Sequence, residues 1–566
     1  MTNSRYDRQT DVLVIGSGAG GLTTALTAHL CGLEVIVVEK EPVFGGTTAW
    51  SGGVAWIPCN SHARAAGIND SAEAALRYLR HCCGEFYDHD RIAAFVDYGP
   101  EMIDFLERET EVKFELASEP DYQSNAPGAL RRGRALRPID FDARRLGKHH
   151  SDLRPPARER VLFMGMQIGA AHLGHFLNAT KSLESFSFVA RRMVRYVHDV
   201  LIYRRSMTLA MGNALIARLA KSLFDFGIGL SLGTPALRLI VEDGVVVGAV
   251  VKTEGRDLRI VARKGVVLAS GGFPHDYDRR RSVFPHHPSM TEHLSNAPLS
   301  NTGDGIRLAE TVGGVFDASY PNVATWYPTS HVKYGDGSEG NNPHLLERGK
   351  PGVIAVALDG RRFTNESQNY HDFVQAMFRS RIGDREIAAF YVCDHRAFRR
   401  YGLGVARPWP LPYGQYLRTG YLKRGATIQE LAAVIGIDPD ELERTVDRYN
   451  AHARLGRDPE FGKGESEYDV SQGDPTQSPN PCVAPLETPP FYAVKILPGD
   501  LGTFAGLRTD RHGCVLDLAG RAIPGLFAVG NDQASVFGGA YPGGGATLGP
   551  AMTFGYLAAR RMAGTI

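Results

Sequence analysis

Tyr541 lies in a run of glycines and small residues, GNDQASVFGGAYPGGGATLG (530–549), that opens into the apolar segment PAMTFGYLAARRMA. A loop of this kind feeding a helix offers free backbone N–H groups and the positive end of the helix dipole, which together stabilise developing negative charge. A phenol beside such amides is a candidate oxyanion clamp, able to polarise a carbonyl without metal or lysine. The same glycines would equally let the loop pack closely on a cofactor, and at this point both readings stand.

The other chemistry-bearing segment is N-terminal. DVLVI (11–15) is a short β-branched run, GSGAGG (16–21) a glycine turn and LTTALTAHLCG an amphipathic stretch, and a buried strand over 34–38 then ends at Glu39. That order makes residues 11–39 one βαβ unit. Gly16 then forms the tight turn, Gly18 admits a pyrophosphate, Gly21 lets helix and strand touch, and Glu39 can accept ribose hydroxyls. GGTTAWSGGVAWIP (45–58) is a second loop able to wrap phosphates and reach a flavin ring. Another GxGxxG match, GDGSEG (335–340), follows HVKY, with no buried strand before it and no helical pattern after it. It is expected to be a flexible loop, leaving one dinucleotide site and no separate nicotinamide domain.

These motifs need elements to hold them. LRLIVEDGVVVGAVV (237–251) has the pattern of a hairpin turning at Glu242–Gly244, while KGVVLASGGF (264–273) and GLFAVG (525–530) read as buried strands ending in glycine. The pieces form one nucleotide-binding domain whose last strand and helix come from the C-terminus. Residues 281 to about 495, with NTGDG (301–305) and RRFTNESQNY (361–370), read as an insertion. A chain of 566 residues has room for several such units.

A net charge of +1 supplies no field for nucleic acid. Seven cysteines without CxxC spacing point to reduced thiols in a cytoplasmic protein and away from zinc, iron–sulfur or attached haem, so no metal site is expected. No secretory leader or membrane span is read in the sequence. Between 165 and 211, however, SFVARRMVRYVHDVLIYRR can gather Phe188, Val189, Met193, Val197 and Val200 on one helical face, with five arginines around it. A core helix with a solvated charged face is the favoured reading. Peripheral membrane contact through residues 186–205 is the other.

GSGAGG, GGTTAWSGG, NTGDG, the NES-x-x-Y segment and AYPGGGATLGPAMTFG, in this order, give nearly the whole chain a resemblance to the 3-ketosteroid Δ1-dehydrogenase family, within the fumarate reductase and succinate dehydrogenase flavoproteins. The resemblance implies an α/β fold: a Rossmann-like FAD-binding domain split into residues 1–280 and 496–566, with an inserted α+β catalytic domain at 281–495. It implies that Gly16, Ser17, Gly18, Gly21, Glu39, Lys40, Gly46, Thr47, Thr48, Gly53, Ala236, Gly530, Asn531 and Leu548 line the FAD. Gly46 stands where the respiratory enzymes carry a tethering histidine, so the FAD is expected to be non-covalent.

In fumarate reductases two arginines serve the dicarboxylate; here Tyr370 and Tyr541 stand at the matching places, which disfavours that substrate. In the steroid family the matching residues give Tyr541 and the Gly545 N–H the ketone oxygen, and make Tyr370 the base that takes a C2 proton while C1 hydride goes to flavin. Tyr122, in EPDYQ, resembles the first tyrosine of a DYY motif whose second is here Gln123, and is expected to favour the Tyr370 phenolate. The implied function is 1,2-desaturation of a 3-ketosteroid, with a quinone or other external electron acceptor. Oxidation at the 4,5 bond or beside another ketone, and a flavin-binding electron-transfer protein without its own substrate, are the competing readings.

Overall fold

The strand Arg8–Ile15 is buried over Val12–Ile15, as a central parallel strand must be when helices cover both faces of its sheet. In the computed structural model, which describes residues 6–161, 165–177, 179, 182–289 and 291–566, it pairs in parallel with Val35–Val38 on one side and Arg256–Leu268 on the other. Gly229–Ser231 extends the sheet beyond Val35–Val38, and Ala522–Ala528 adds in parallel to Arg256–Leu268. Strands from both ends of the chain therefore share one sheet. The hairpin expected near Gly244 is present as Ala236–Glu242 and Val245–Thr253, attached to Arg256–Leu268.

The helix Ala19–Leu30 follows the glycine turn and packs on the C-terminal helix Leu548–Met562. The contact is backbone to backbone: a Cβ on Gly555 would lie 2.7 Å from the carbonyl oxygen of Gly20. Any larger residue there would part the helices and with them the two ends of the chain.

A second sheet orders Glu339–Pro343, Ala324–Lys333, Phe491–Thr503, Ala389–Cys393 and Val353–Ala357, neighbours in this order being antiparallel. It corrects the reading of GDGSEG. Ala324–Lys333 is a mostly buried strand ahead of it and Glu339–Pro343 pairs back, so the segment turns a β-hairpin instead of forming a flexible loop. Phe491–Thr503 also runs unbroken through the expected boundary at 495/496 and stays in this sheet, so the return to the first sheet falls beyond Thr503.

The helix Leu183–Tyr203 meets the favoured reading of its segment only in part, with residues 178, 180 and 181 outside the described set: of the face read from the sequence, Phe188, Val189, Met193 and Val200 are half-buried and Val197 is exposed. Its buried residues are Ser185, Tyr196 and Asp199, whereas Leu183, Val194 and Leu201 are 84%, 72% and 78% exposed. Carboxylates draw Arg192 inward, while Arg191, Arg195 and Arg204 stay exposed. Arg192 reaches Asp140, Arg195 reaches Asp142, and Asp199 receives Arg144.

One buried ion cluster anchors the loop that carries Tyr122. Arg134 holds Asp70 through two nitrogens (2.7 and 3.0 Å) and Asp121 through a third (2.8 Å), and Asp121 also accepts from Trp56 Nε1 at 2.8 Å. All three charged side chains are at most 2% exposed. Arg134→Met would leave two carboxylates buried without a cation, so urea unfolding is expected to show a loss of about 3–5 kcal/mol. An unchanged midpoint would mean the cluster carries no stability.

Candidate active site

Tyr370 opens the helix Tyr370–Arg379, whose start is fixed by the Asn369 side chain accepting from the Asp372 N–H at 2.9 Å. Tyr541 sits in the glycine loop before the helix Leu548–Met562, and Tyr122 lies on the loop beside Trp56. The three rings meet as a triangle, each pair of centroids 5.5 Å apart. The Tyr122 hydroxyl donates to the Tyr370 oxygen at 3.1 Å. Gln123, in place of the family's second tyrosine, donates to Asp372 at 2.6 Å and so ties the Tyr122 loop to the helix of Tyr370. The Pro542 carbonyl accepts from the Tyr122 N–H (3.0 Å) and the Tyr78 hydroxyl (2.6 Å), docking the same loop onto the segment that carries Tyr541.

Burial holds the Tyr370 phenol well above its ordinary value, and Tyr122, Tyr541 and Tyr327 around it push in the same direction. The one hydrogen bond that Tyr122 donates does not offset that rise, whereas the sequence led us to expect a lowering. Packed phenols offer neither water nor charge to a phenolate. Tyr541 is also raised by burial, but the Tyr370 and Thr547 hydroxyls and the Gly545 backbone act on its oxygen in the opposite sense. The Gly545 backbone thus lies against the Tyr541 oxygen. Its φ of +98°, and the 2.4 Å that would separate a Cβ from the Val54 carbonyl oxygen, admit only glycine.

Sequence alone did not single out three residues of this cluster. Tyr327 packs on Tyr370 with centroids 4.2 Å apart and Tyr468 on Tyr122 at 4.8 Å. Arg348 is buried, donates to the Tyr468 hydroxyl (3.1 Å) and the Glu366 carbonyl (3.1 Å), and lies 6.0 Å from the Tyr370 ring centroid. Each comes from a different segment, without a motif to mark it.

Several of the residues expected to line the FAD gather around the first sheet's glycine turn. Gly16 has φ +114° and a Cβ there would meet Ala269 O at 2.2 Å; one on Gly21 would meet Gly16 O at 2.2 Å. Gly18 caps the helix Ala19–Leu30 without a side chain to satisfy its first N–H groups, and a Cβ on it would find only the Thr48 hydroxyl, 3.7 Å away. That open, donor-rich cradle fits a diphosphate. Glu39 is buried and accepts from the Ser17 hydroxyl (2.6 Å), the Ser17 N–H (3.1 Å) and the Glu41 N–H (3.0 Å). Thr48 accepts from the Ala19 N–H (3.1 Å), Thr47 from Asn301 (2.8 Å), and Gly46 lies over Gly18. Gly53 packs on the Met211 backbone, Ala236 starts its strand, and Leu548 opens the C-terminal helix.

Gly530 and Asn531 belong to a short turn whose third residue, Asp532, the sequence reading missed. Asp532 is fully buried and accepts from the backbone of Ser270 (2.5 Å) and Gly272 (3.0 Å), which pins the glycines ending Arg256–Leu268. Lys40 is engaged away from the turn, by Asp304 and by Thr302 at 3.0 Å.

Parallel sheet, glycine turn and open cradle together define a flavoprotein: the chain belongs to the FAD binding domain family, whose model matches residues 11–548. It is 41% identical over 555 residues to the 4-oxocyclohex-2-ene-1-carboxylate 5-dehydrogenase of Sinomonas cyclohexanicum, spanning 98% of this chain and 93% of that one. It is 39% identical over 568 residues to the 3-oxosteroid 1-dehydrogenase of Mycobacterium tuberculosis, spanning 98% of each. The crystal structure of a 3-ketosteroid Δ1-dehydrogenase from Sterolibacterium denitrificans, in complex with 1,4-androstadiene-3,17-dione, matches with a TM-score of 0.90 at 36% identity, over 99% of this chain and 100% of that one. Within the flavoproteins this chain is a member of the 3-ketosteroid Δ1-dehydrogenase family, an FAD-dependent oxidoreductase.

Gly18 has an extended backbone (φ −73°, ψ 179°) that any residue adopts. Gly18→Val is therefore expected to leave the melting of the apoprotein unchanged while weakening FAD by about tenfold or more, a cost of about 1.4 kcal/mol. Undiminished FAD affinity by titration would place the diphosphate elsewhere.

Proposed function

We propose that the chain oxidises the carbon–carbon bond beside a ring ketone, as in 1,2-desaturation of a 3-ketosteroid, with FAD held without a covalent bond. The observation that carries this reading is the packing of Tyr541, with the Gly545 backbone against its oxygen, on Tyr370 among buried phenols. Tyr541 and the Gly545 N–H hold the ketone oxygen and bond it more strongly as enolate charge develops, which acidifies the neighbouring C–H. Tyr370 removes that proton, and Tyr122 keeps the Tyr370 oxygen in place through its hydrogen bond. Bound FAD supplies the hydride acceptor. The electrons then leave to an external acceptor such as a quinone. The relatives that oxidise 3-oxosteroids support the steroid as substrate. The relative that oxidises a monocyclic oxo acid supports a smaller ring, with the same chemistry.

Because the Tyr370 phenol is held neutral by burial, its reactive form grows about tenfold per pH unit below its pKa. Anaerobic flavin reduction by a ring ketone is expected to speed up steadily from pH 7 to pH 10. Tyr370→Phe should lose about 10²–10⁴-fold in rate with FAD still bound, and Tyr541→Phe about 10²–10³-fold. A flat pH profile, or a fast Tyr370→Phe variant, would remove Tyr370 from the role of base.

The outward face of Leu183–Tyr203, with Leu183, Val194 and Leu201 beside exposed Arg191 and Arg195, supports peripheral contact with an anionic membrane surface. Among the described residues no helix is long and apolar enough to cross a membrane. Co-sedimentation with phosphatidylserine vesicles at low salt is expected, and Val194→Asp with Leu201→Asp should abolish it. Equal sedimentation of both proteins would defeat the assignment.

A further inference from the structure

Arg348 lies on the loop between the strands Glu339–Pro343 and Val353–Ala357 and is completely buried. Every acceptor it reaches is neutral: the carbonyls of Glu366 (3.1 Å) and Gln368, and the Tyr468 hydroxyl (3.1 Å). Its Nε is buried with no hydrogen-bond partner among the described residues. The guanidinium makes no ion pair among them either, because the carboxylates of its surroundings are engaged elsewhere. Glu347 holds His344 (2.6 Å) and the Gly404 N–H (2.9 Å), Glu366 holds Arg362 (2.9 Å) and Lys463 (3.4 Å), and Asp469 holds Asn365 (2.8 Å).

An uncharged amide could hold two carbonyls and a hydroxyl while losing far less hydration than a guanidinium does. A cation kept here without a counter-ion suits an anion that forms beside it. The guanidinium carbon lies 6.0 Å from the centroid of the Tyr370 ring, and of the phenols around Arg348 this one also packs against Tyr541 (5.5 Å). Through Tyr468 the same cation backs Tyr122, whose ring packs on Tyr468 at 4.8 Å and whose hydroxyl donates to the Tyr370 oxygen. The other groups facing Tyr370 bring no such charge. Tyr122, Tyr327 and Tyr541 are phenols kept neutral by burial. His371, next on the helix, is neutral as well, its pKa lowered to about 4 by burial, and Asp372 is a carboxylate engaged by Asn369 and Gln123. Arg160 feels Tyr370 but is only half-buried, so water screens it.

We propose that Arg348 is a positioning residue for proton abstraction, its unpaired charge in this dry site favouring the ionised form of Tyr370 that acts as base. The inference rests on the ring-ketone chemistry proposed above and adds to it the group that makes a buried phenol usable. Tyr370 first gives its phenolic proton to water. The phenolate then takes the proton from the carbon beside the ketone and is a phenol again, while the electron pair left on that carbon moves to the ketone oxygen on Tyr541 and Gly545. A guanidinium beside the ring attracts the phenolate more than the phenol, and more strongly here than it would in water. The arginine absent at position 370 is thus replaced by one that serves the base and does not itself touch the substrate.

The test is anaerobic stopped-flow reduction of the FAD-loaded enzyme at pH 8 by 4-androstene-3,17-dione and by 4-oxocyclohexane-1-carboxylate, with Arg348→Gln and Arg348→Lys set against the wild type. Each is also made with Tyr370 replaced by di-, tri- and tetrafluorotyrosine, phenols of rising acidity. With tyrosine at 370, Arg348→Gln should lose about 10–10²-fold in rate, and Arg348→Lys, which keeps the charge but not the fork, should recover most of it. The loss in Arg348→Gln should shrink along the fluorotyrosine series to within about twofold, because a phenol already ionised gains nothing from the cation. A packing defect would be shared by both variants and would not depend on the acidity of residue 370. Equal losses in Arg348→Gln and Arg348→Lys, or one constant loss across the series, overturn the proposal while leaving Tyr370 as base. A wild-type rate indifferent to fluorination removes Tyr370 from that role and the proposal with it, and failure of both ketones to reduce the flavin defeats the ring-ketone reading as well.

Discussion

Three glycines of the C-terminal loop press their backbone onto Val54–Trp56, and the site depends on that contact. A Cβ would come within 2.5 Å of the Trp56 ring at Gly543, 2.4 Å of the Val54 carbonyl at Gly545 and 2.3 Å of the Trp56 carbonyl at Gly549. Because the loop lies this close, the Trp56 N–H can donate to the Gly545 carbonyl (3.2 Å), and Pro542 can bind both Tyr78 and the Tyr122 backbone. Trp56 is held in turn by Asp121, and Asp121 by Arg134. Position is thus transmitted from a buried ion cluster, through an indole, to the loop that carries Tyr541. No flexible side chain intervenes at the points of closest approach.

The environment built this way is dry and aromatic, which has opposite effects on the two kinds of polar group inside it. Phenols tolerate it by staying neutral, and Tyr122, Tyr327, Tyr370 and Tyr541 all have their pKa values raised by burial. Guanidiniums must keep their charge and so need partners. Arg348 finds its own in backbone carbonyls and Tyr468.

Much of the frame was legible from local pattern. The βαβ unit at 11–39, the hairpin around Gly244 and the strands ending at Gly271 and Gly530 follow from β-branched runs and glycine placement, which act over a few residues. The reading failed where a segment's neighbours decide its state. GDGSEG became a hairpin because a strand on either side had a partner, and in the helix 183–203 Leu183, Val194 and Leu201 point outward while the face marked in the sequence is mostly half-buried. Periodicity can show that a helix has two faces. It cannot say which of them the rest of the chain will accept.

The sequence by itself determined the class of fold, the dinucleotide turn with its FAD, and the family, since glycines at fixed offsets and motif order are local properties of the chain. It also marked Tyr370 and Tyr541 as residues of interest by their places in two distant motifs. Tertiary structure alone decided that these phenols, with Tyr122, share one triangle, that burial raises Tyr370 where a lowering was expected, and that Arg348 packs beside them while Asp532 pins the glycines of the first sheet. Those facts depend on distances between segments up to several hundred residues apart and on the exclusion of water among them, and both are fixed only when the chain closes on itself.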